Sequence, residues 1–152
     1  MIKVDVDDRQ LLSLFAKLDS KKQKKVHKKA LIEGAKVLQK ETRLQLRRSG
    51  IKHTGRKDKW GKSLNSGIKY KVLSDEGVEV HIMGNFKLKF FEKGTKPRYV
   101  TTRKGKKLSK KAYRGKNKVY HFFKDAKANK EKEIFDNIDN YIMKNINKIS
   151  KQ

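Results

Sequence analysis

The 152 residues carry a formal charge of +26, from 42 Lys and Arg against 16 Asp and Glu, and only 35% are hydrophobic. That length suits a single domain, 1–152, with one economical core. The absence of Cys excludes a disulfide framework and any Cys-based zinc site.

Such a charge opposes compaction and favours a polyanionic neighbour. Nucleic acid is the first candidate, and an anionic membrane or an acidic protein surface comes next. Only eight of the 42 basic residues are Arg. Lys is a hydrated point charge, whereas Arg gives bidentate recognition. The surface therefore suits loose phosphate attraction more than base reading. It also suits plain solubility. No apolar run reaches the length of a membrane span, and Met1-Ile2-Lys3 does not lead into a signal peptide. The expectation is a soluble chain made in a cytoplasm.

In chain order, Ile2, Val4 and Val6 alternate with polar residues and predict a short strand over 1–8. Asp7 or Asp8 can cap a short helix to Asp19, with Leu11, Phe15 and Leu18 on one face. Ser20 to about Arg48 is the clearest helix, with Leu31, Ala35, Leu38 and Thr42 on one stripe. Ala30, Gly34 and Ala35 let a partner element approach closely. Its first turns are densely basic, which opposes the helix dipole. Ser49 to Lys62 reads as a loop. Trp60 inside it is either a lid on the core edge or an interface anchor.

Alternation predicts strands over Ser66–Leu73 and Gly77–Met83, joined as an antiparallel hairpin. Phe86 to Tyr99 follows. Phe86 and Phe90 are four apart, and Gly94 and Pro97 are stop signals, so a short helix is favoured over a strand. Lys96 to Lys118 then holds eleven Lys or Arg. No Asp or Glu lies between Glu92 and Asp125. Tyr99, Val100, Thr101, Ala112 and Tyr113 look extended about Gly105, so 96–120 reads as an extended basic hairpin or flexible arm. Phe122 to Ser150 is the last helix, with Ile134, Ile138, Tyr141, Ile142 and Ile146 among its apolar stripe. The fold class is α+β. A long helix in the N-terminal half and a C-terminal helix pack on a small antiparallel sheet, with the basic arm inserted between.

Catalytic chemistry finds little support. His27, His53, His81 and His121 share no metal-ligand spacing and read as solvated. Asp75, Glu76 and Glu79 sit on a turn and its strand, where acids are ordinary, whereas two-metal chemistry needs ligands from several elements. Gly50, Gly55 and Gly61 match no nucleotide-binding pattern. The arm is the strongest nucleic-acid feature. Its cations are Arg98, Arg103, Lys104, Lys106, Lys107, Lys110, Lys111, Arg114, Lys116 and Lys118, interleaved with Tyr99, Tyr113 and Tyr120. It would bind phosphate without sequence preference and with steep salt dependence, or order against another subunit.

At Phe90-Phe91-Glu92-Lys93-Gly94-Thr95 the chain resembles a family of tailed-bacteriophage neck proteins. These are also described as head–tail joining, minor tail or tail-completion proteins. Their signature is an apolar pair, Glu, a variable residue and Gly-Thr, here Phe90, Phe91, Glu92, Gly94 and Thr95, with Pro97 just beyond. A long helix similar to Lys25–Leu46 precedes it, as do Thr54-Gly55, Leu64 and Ser66-Gly67-Ile68. His121-Phe122-Phe123-Lys124-Asp125-Ala126 resembles the family's return into its C-terminal helix, with His121 in place of the usual Pro.

The resemblance implies a non-catalytic, ring-forming virion protein without cofactor or metal. It would sit where portal and tail meet on the DNA path, and be assembled in the host bacterial cytoplasm. Its partners would be further copies of itself, other connector and tail proteins, and DNA held without sequence preference. Glu92 would cap or pair with a basic group, Gly94 would be structural, and Trp60, Phe122 and Phe123 would be interface residues. A ribosome- or nucleoid-associated nucleic-acid binder is the alternative. An RNA-cleaving toxin is a third reading, which lacks a convincing His/Arg/Glu constellation.

Overall fold

The computed structural model describes residues 20–52, 54–59, 61–74 and 77–149. The N-terminal strand and helix expected over 1–19 lie outside them, as do His53, Trp60, Asp75 and Glu76. Helix α1 is Ser20–Arg48, and helix α2 is Lys87–Lys93. Helix α3 is Phe122–Ile149. Strands β1, Lys69–Val72, and β2, Val78–His81, pair with each other. Strands β3, Arg98–Arg103, and β4, Lys106–Gly115, form a second pair. The fold is α+β, with two separate two-stranded antiparallel sheets among the described residues.

Local chemistry sets the boundaries. Gly50, at φ 78°, ends α1, and Ser49 returns both its backbone N–H and its hydroxyl to the carbonyls of Gln45 and Leu46. β1 and β2 are shorter than alternation suggests. Ser63 and Ser66 exchange side-chain and backbone hydrogen bonds, which tightens the chain into a 3-10 turn over Asn65–Gly67. Polar side chains that bond nearby backbone compete with strand pairing in this way. At α2 the stop signals prevail over the alternating pattern. Asn85 accepts the Lys87 N–H at its start, and Gly94 ends it at φ 69°.

The described chain groups into two compact units. In the first, residues 20–38, 70–74, 77–80 and 130–149 belong together. Val26, Ala30, Ala35 and Ile146 are buried there. Gly34 lies against Ile138 so closely that a Cβ would stand 2.9 Å from that side chain. The small-residue stripe of α1 thus admits α3. Lys36 donates to Glu33 over 2.7 Å, and that bond raises the Lys36 pKa above its usual range. His81, which opens the last segment of the second unit and reads from the sequence as solvated, is half-buried.

The second unit takes residues 39–52, 54–59, 61–69 and 81–129. Its core is Leu46, Ile68, Leu88 and Phe122, flanked by Ile51, Leu64, Ile82, Phe91, Tyr120 and Phe123. The buried Ile68 contributes more than its side chain. Its carbonyl accepts from Gln39 Nε2 (3.0 Å) and Arg43 Nη2 (2.9 Å), tying the end of α1 to the chain that enters β1. Next to it, the Gly84 N–H donates to the Gly67 carbonyl at 3.0 Å.

A Cβ on Gly67 would lie 2.6 Å from the Asn85 backbone nitrogen and 2.9 Å from Leu88 Cδ1. Backbone cannot retreat as a side-chain tip can. Gly67→Ala should therefore cost about 1–3 kcal/mol. Gly55, with nothing near its Cβ position, should tolerate Ala within about 0.5 kcal/mol. Thermal denaturation of the two variants checks the contrast.

Candidate functional site

On α2, Leu88 and Glu92 are four apart and share the buried face, while Phe90 is exposed, as is Phe86 at the N-cap four residues before it. Leu88 enters the core. Glu92, only 9% exposed, sits one turn on, at the start of α3. Its Oε2 accepts the Phe123 N–H at 2.9 Å, and its Oε1 accepts the Lys124 N–H at 3.1 Å. The first N–H groups of a helix have no partner within it, and a negative charge there also meets the positive end of the dipole. No Ser, Thr, Asn or Asp stands just ahead of α3 to do this work. Glu92 does it from 31 residues away. Of the two roles the sequence allows Glu92, the structure assigns the cap.

The next residues continue the closure. The Tyr120 N–H donates to the Phe91 carbonyl at 3.0 Å, and the two rings meet edge to face at 6.1 Å. Thr95 and Asn117 bond twice. The Thr95 N–H reaches the Asn117 carbonyl at 3.2 Å, and the Asn117 N–H reaches Thr95 Oγ1 at 2.8 Å. Gly94 lies between, where a Cβ would stand 2.7 Å from Val119 Cγ2 and 3.0 Å from the Asn117 carbonyl oxygen. Its positive φ and this close approach both require glycine. Residues 91–95 and 117–124 thus form a clamp that holds the two roots of the segment between them.

That segment is the β3–β4 hairpin. Lys104 and Gly105 form its two-residue turn, both at positive φ (49° and 76°), as the twist of a tight hairpin requires. Of the two forms expected for 96–120, an extended hairpin or a flexible arm, the described chain takes the hairpin. Tyr99 faces Tyr113 across the strands, and Arg103 faces Lys106. The register shifts twice, so β4 carries extra residues opposite β3. Arg98, Arg103, Lys104, Lys106, Lys107, Lys110, Lys111 and Arg114 are all exposed, as is Pro97 at the root. The clamp gathers these cations on one element, with no acid among them.

The other expected site residues divide. Trp60 lies outside the described residues. Phe122, expected at an interface, is a core residue at 1% exposure and has no surface to offer a partner. Its ring falls inward with Ala126, one turn on, because both start α3 on its buried face. Phe123 is half-buried and packs on the same core. Phe91 also packs against this core, within its own chain. His121 sits at φ 51°. Proline is fixed near −65°, so here the chain enters α3 differently from the Pro-led return of the neck family.

No signal in the sequence marks Asn117, Asn85, Gln39 or Arg43. Each acts on a backbone group of a residue brought close by folding or by a local turn, and no periodicity marks such a pairing. Arg56, Lys57, Lys59 and Lys62 border an open concavity beside Phe91, where Asp58 accepts the Lys62 N–H and approaches Lys87 Nζ at 4.0 Å. Among the described residues no three His, Asp or Glu side chains converge as metal ligands would. No described helix is long and apolar enough to cross a membrane.

No protein-family model, no curated protein and no solved structure matches this chain.

Removing the Glu92 carboxylate leaves two N–H groups at a half-covered helix start without their partner. Glu92→Ala should lower stability by about 1–3 kcal/mol. Glu92→Gln, which keeps one acceptor oxygen, should lose less. Glu79→Ala, on an exposed strand position, should be nearly neutral. Chemical denaturation of the three variants tests the order.

Proposed function

We propose that this chain is a non-catalytic structural protein of the head–tail connector of a tailed phage or prophage. It would form or join a ring around the DNA path. The observation that carries this reading is the clamp. The residues that resemble the neck-family signature, Phe91, Glu92, Gly94 and Thr95, are the ones that hold the base of the basic hairpin. A motif that builds a structural corner, rather than a catalytic site, fits a protein whose task is assembly.

Two surfaces support the same reading. Phe86 is 59% exposed and meets Phe90 edge to face at 6.1 Å, and Met83 lines the same groove as Phe86. A cluster of exposed apolar side chains of this kind suits contact with a neighbouring protein. The acid-free hairpin suits a phosphate backbone without base specificity. A connector protein needs both, one surface toward protein and one toward DNA. The partners would be further copies of the chain and other neck and tail proteins, at the head–tail junction of the virion. A ribosome- or nucleoid-associated binder would use the hairpin equally well, but gives no role to the Phe86 cluster.

Replacing residues 98–115 by a short Gly-rich joint keeps Thr95 and Asn117 in place. The shortened chain should fold, with its core intact by circular dichroism and thermal melting. Phage carrying it should yield no infectious particles. A normal titre would remove the hairpin from assembly. Co-purification of the intact chain with portal or tail proteins separates the connector from the nucleoid reading.

A further inference from the structure

Charge alone would make the hairpin a generic phosphate binder, equally suited to duplex and single strands. The tyrosines add something charge does not. Tyr99 and Tyr113 face each other across β3 and β4, with ring centroids 5.5 Å apart and planes tilted by 55°. Each is 58% exposed. A cross-strand aromatic pair steadies a hairpin, yet here both rings also keep much of their surface open to solvent. The register places guanidinium groups beside them. Arg98 faces Gly115 while Tyr99 faces Tyr113, so Arg114 is the extra residue of a bulge. Bulges re-aim side chains, and Arg98, Arg114, Tyr99 and Val100 line one open groove. In a Lys-dominated chain, the cations at this groove are both Arg, which can grip a phosphate with two donors or stack on a ring.

We propose that this groove, with the Tyr113 ring that adjoins it against Tyr99, is a single-stranded nucleic-acid site, in which bases stack on the two tyrosines while Arg98 and Arg114 hold the adjoining phosphates. A duplex buries its base faces within its own stack, so it gives the rings nothing to bind. A single strand presents those faces, and every base has one, so the site tolerates any sequence. An acidic protein would satisfy the charge but leave the ring faces unused. The proposal goes beyond the connector reading and does not depend on it.

The test uses the full chain and fluorescence anisotropy at about 0.15 M salt. The probes are a roughly 20-nucleotide oligothymidine, an abasic strand of equal length and a duplex of equal length. The oligothymidine should bind about tenfold or more tighter than either of the others. Tyr99→Ala with Tyr113→Ala should weaken oligothymidine binding by about 25-fold or more, and leave the duplex within about twofold. Tyr99→Phe with Tyr113→Phe should retain oligothymidine binding. Arg98→Ala with Arg114→Ala should flatten its salt dependence by about 0.7 per lost phosphate contact.

Equal affinity for the abasic and oligothymidine strands would overturn the proposal. So would equal affinity for the duplex, or preferential binding of polyglutamate. The abasic comparison needs no mutation, so it stands even where the Ala variant disturbs the hairpin. The connector reading is judged separately, by particle assembly and partner capture, so either proposal can fail without the other.

Discussion

The second unit depends on one carboxylate taking two backbone N–H groups. Glu92 is mostly buried, and its oxygens meet Phe123 and Lys124 at the start of α3. Hydrogen bonds to an ionised acceptor are stronger than neutral ones. This pair also fixes where α3 begins, which sets its helical phase. With that phase, Phe122 and Ala126 face inward. The cap and the core are therefore one arrangement: Leu88 and Phe122 meet because Glu92, one turn beyond Leu88, joins α2 to α3.

The same arrangement explains how a thin core coexists with so basic an arm. Cations crowded on one segment repel one another, and burying them would add desolvation cost. The hairpin instead keeps its charge in water, and its roots are tied by neutral contacts: the Thr95–Asn117 pair, the Phe91–Tyr120 pair and the close approach at Gly94. Exposed hairpins of two strands are weak alone. Anchored at both ends, this one keeps its register and its paired tyrosines without a second layer.

Much of this fold was legible because its signals are local. The stripe of α1, the Ile-rich spacing of α3, the Gly94 stop and the extended segments about Gly105 are read from neighbouring residues. The strand ends were not, since the Ser63–Ser66 exchange that replaces pairing with a turn depends on side-chain bonding. The clamp was half legible. A glycine and a buried-side acid in sequence suggest a corner, but nothing in the string says that the acid serves a helix 31 residues later. The misplacing of Phe122 has the same root. Of two adjacent phenylalanines on a helix only one can sit at the centre of the buried face, and which one does depends on the phase that Glu92 sets.

The clamp belongs to the core rather than to the arm. Native-state hydrogen exchange on the unmodified protein tests it most directly, because it reads each backbone N–H by itself. The amides of Asn117, Tyr120, Phe123 and Lys124 should be protected as strongly as that of Leu88, while hairpin amides exchange far sooner. Exchange of those four amides together with the hairpin, ahead of Leu88, would contradict it.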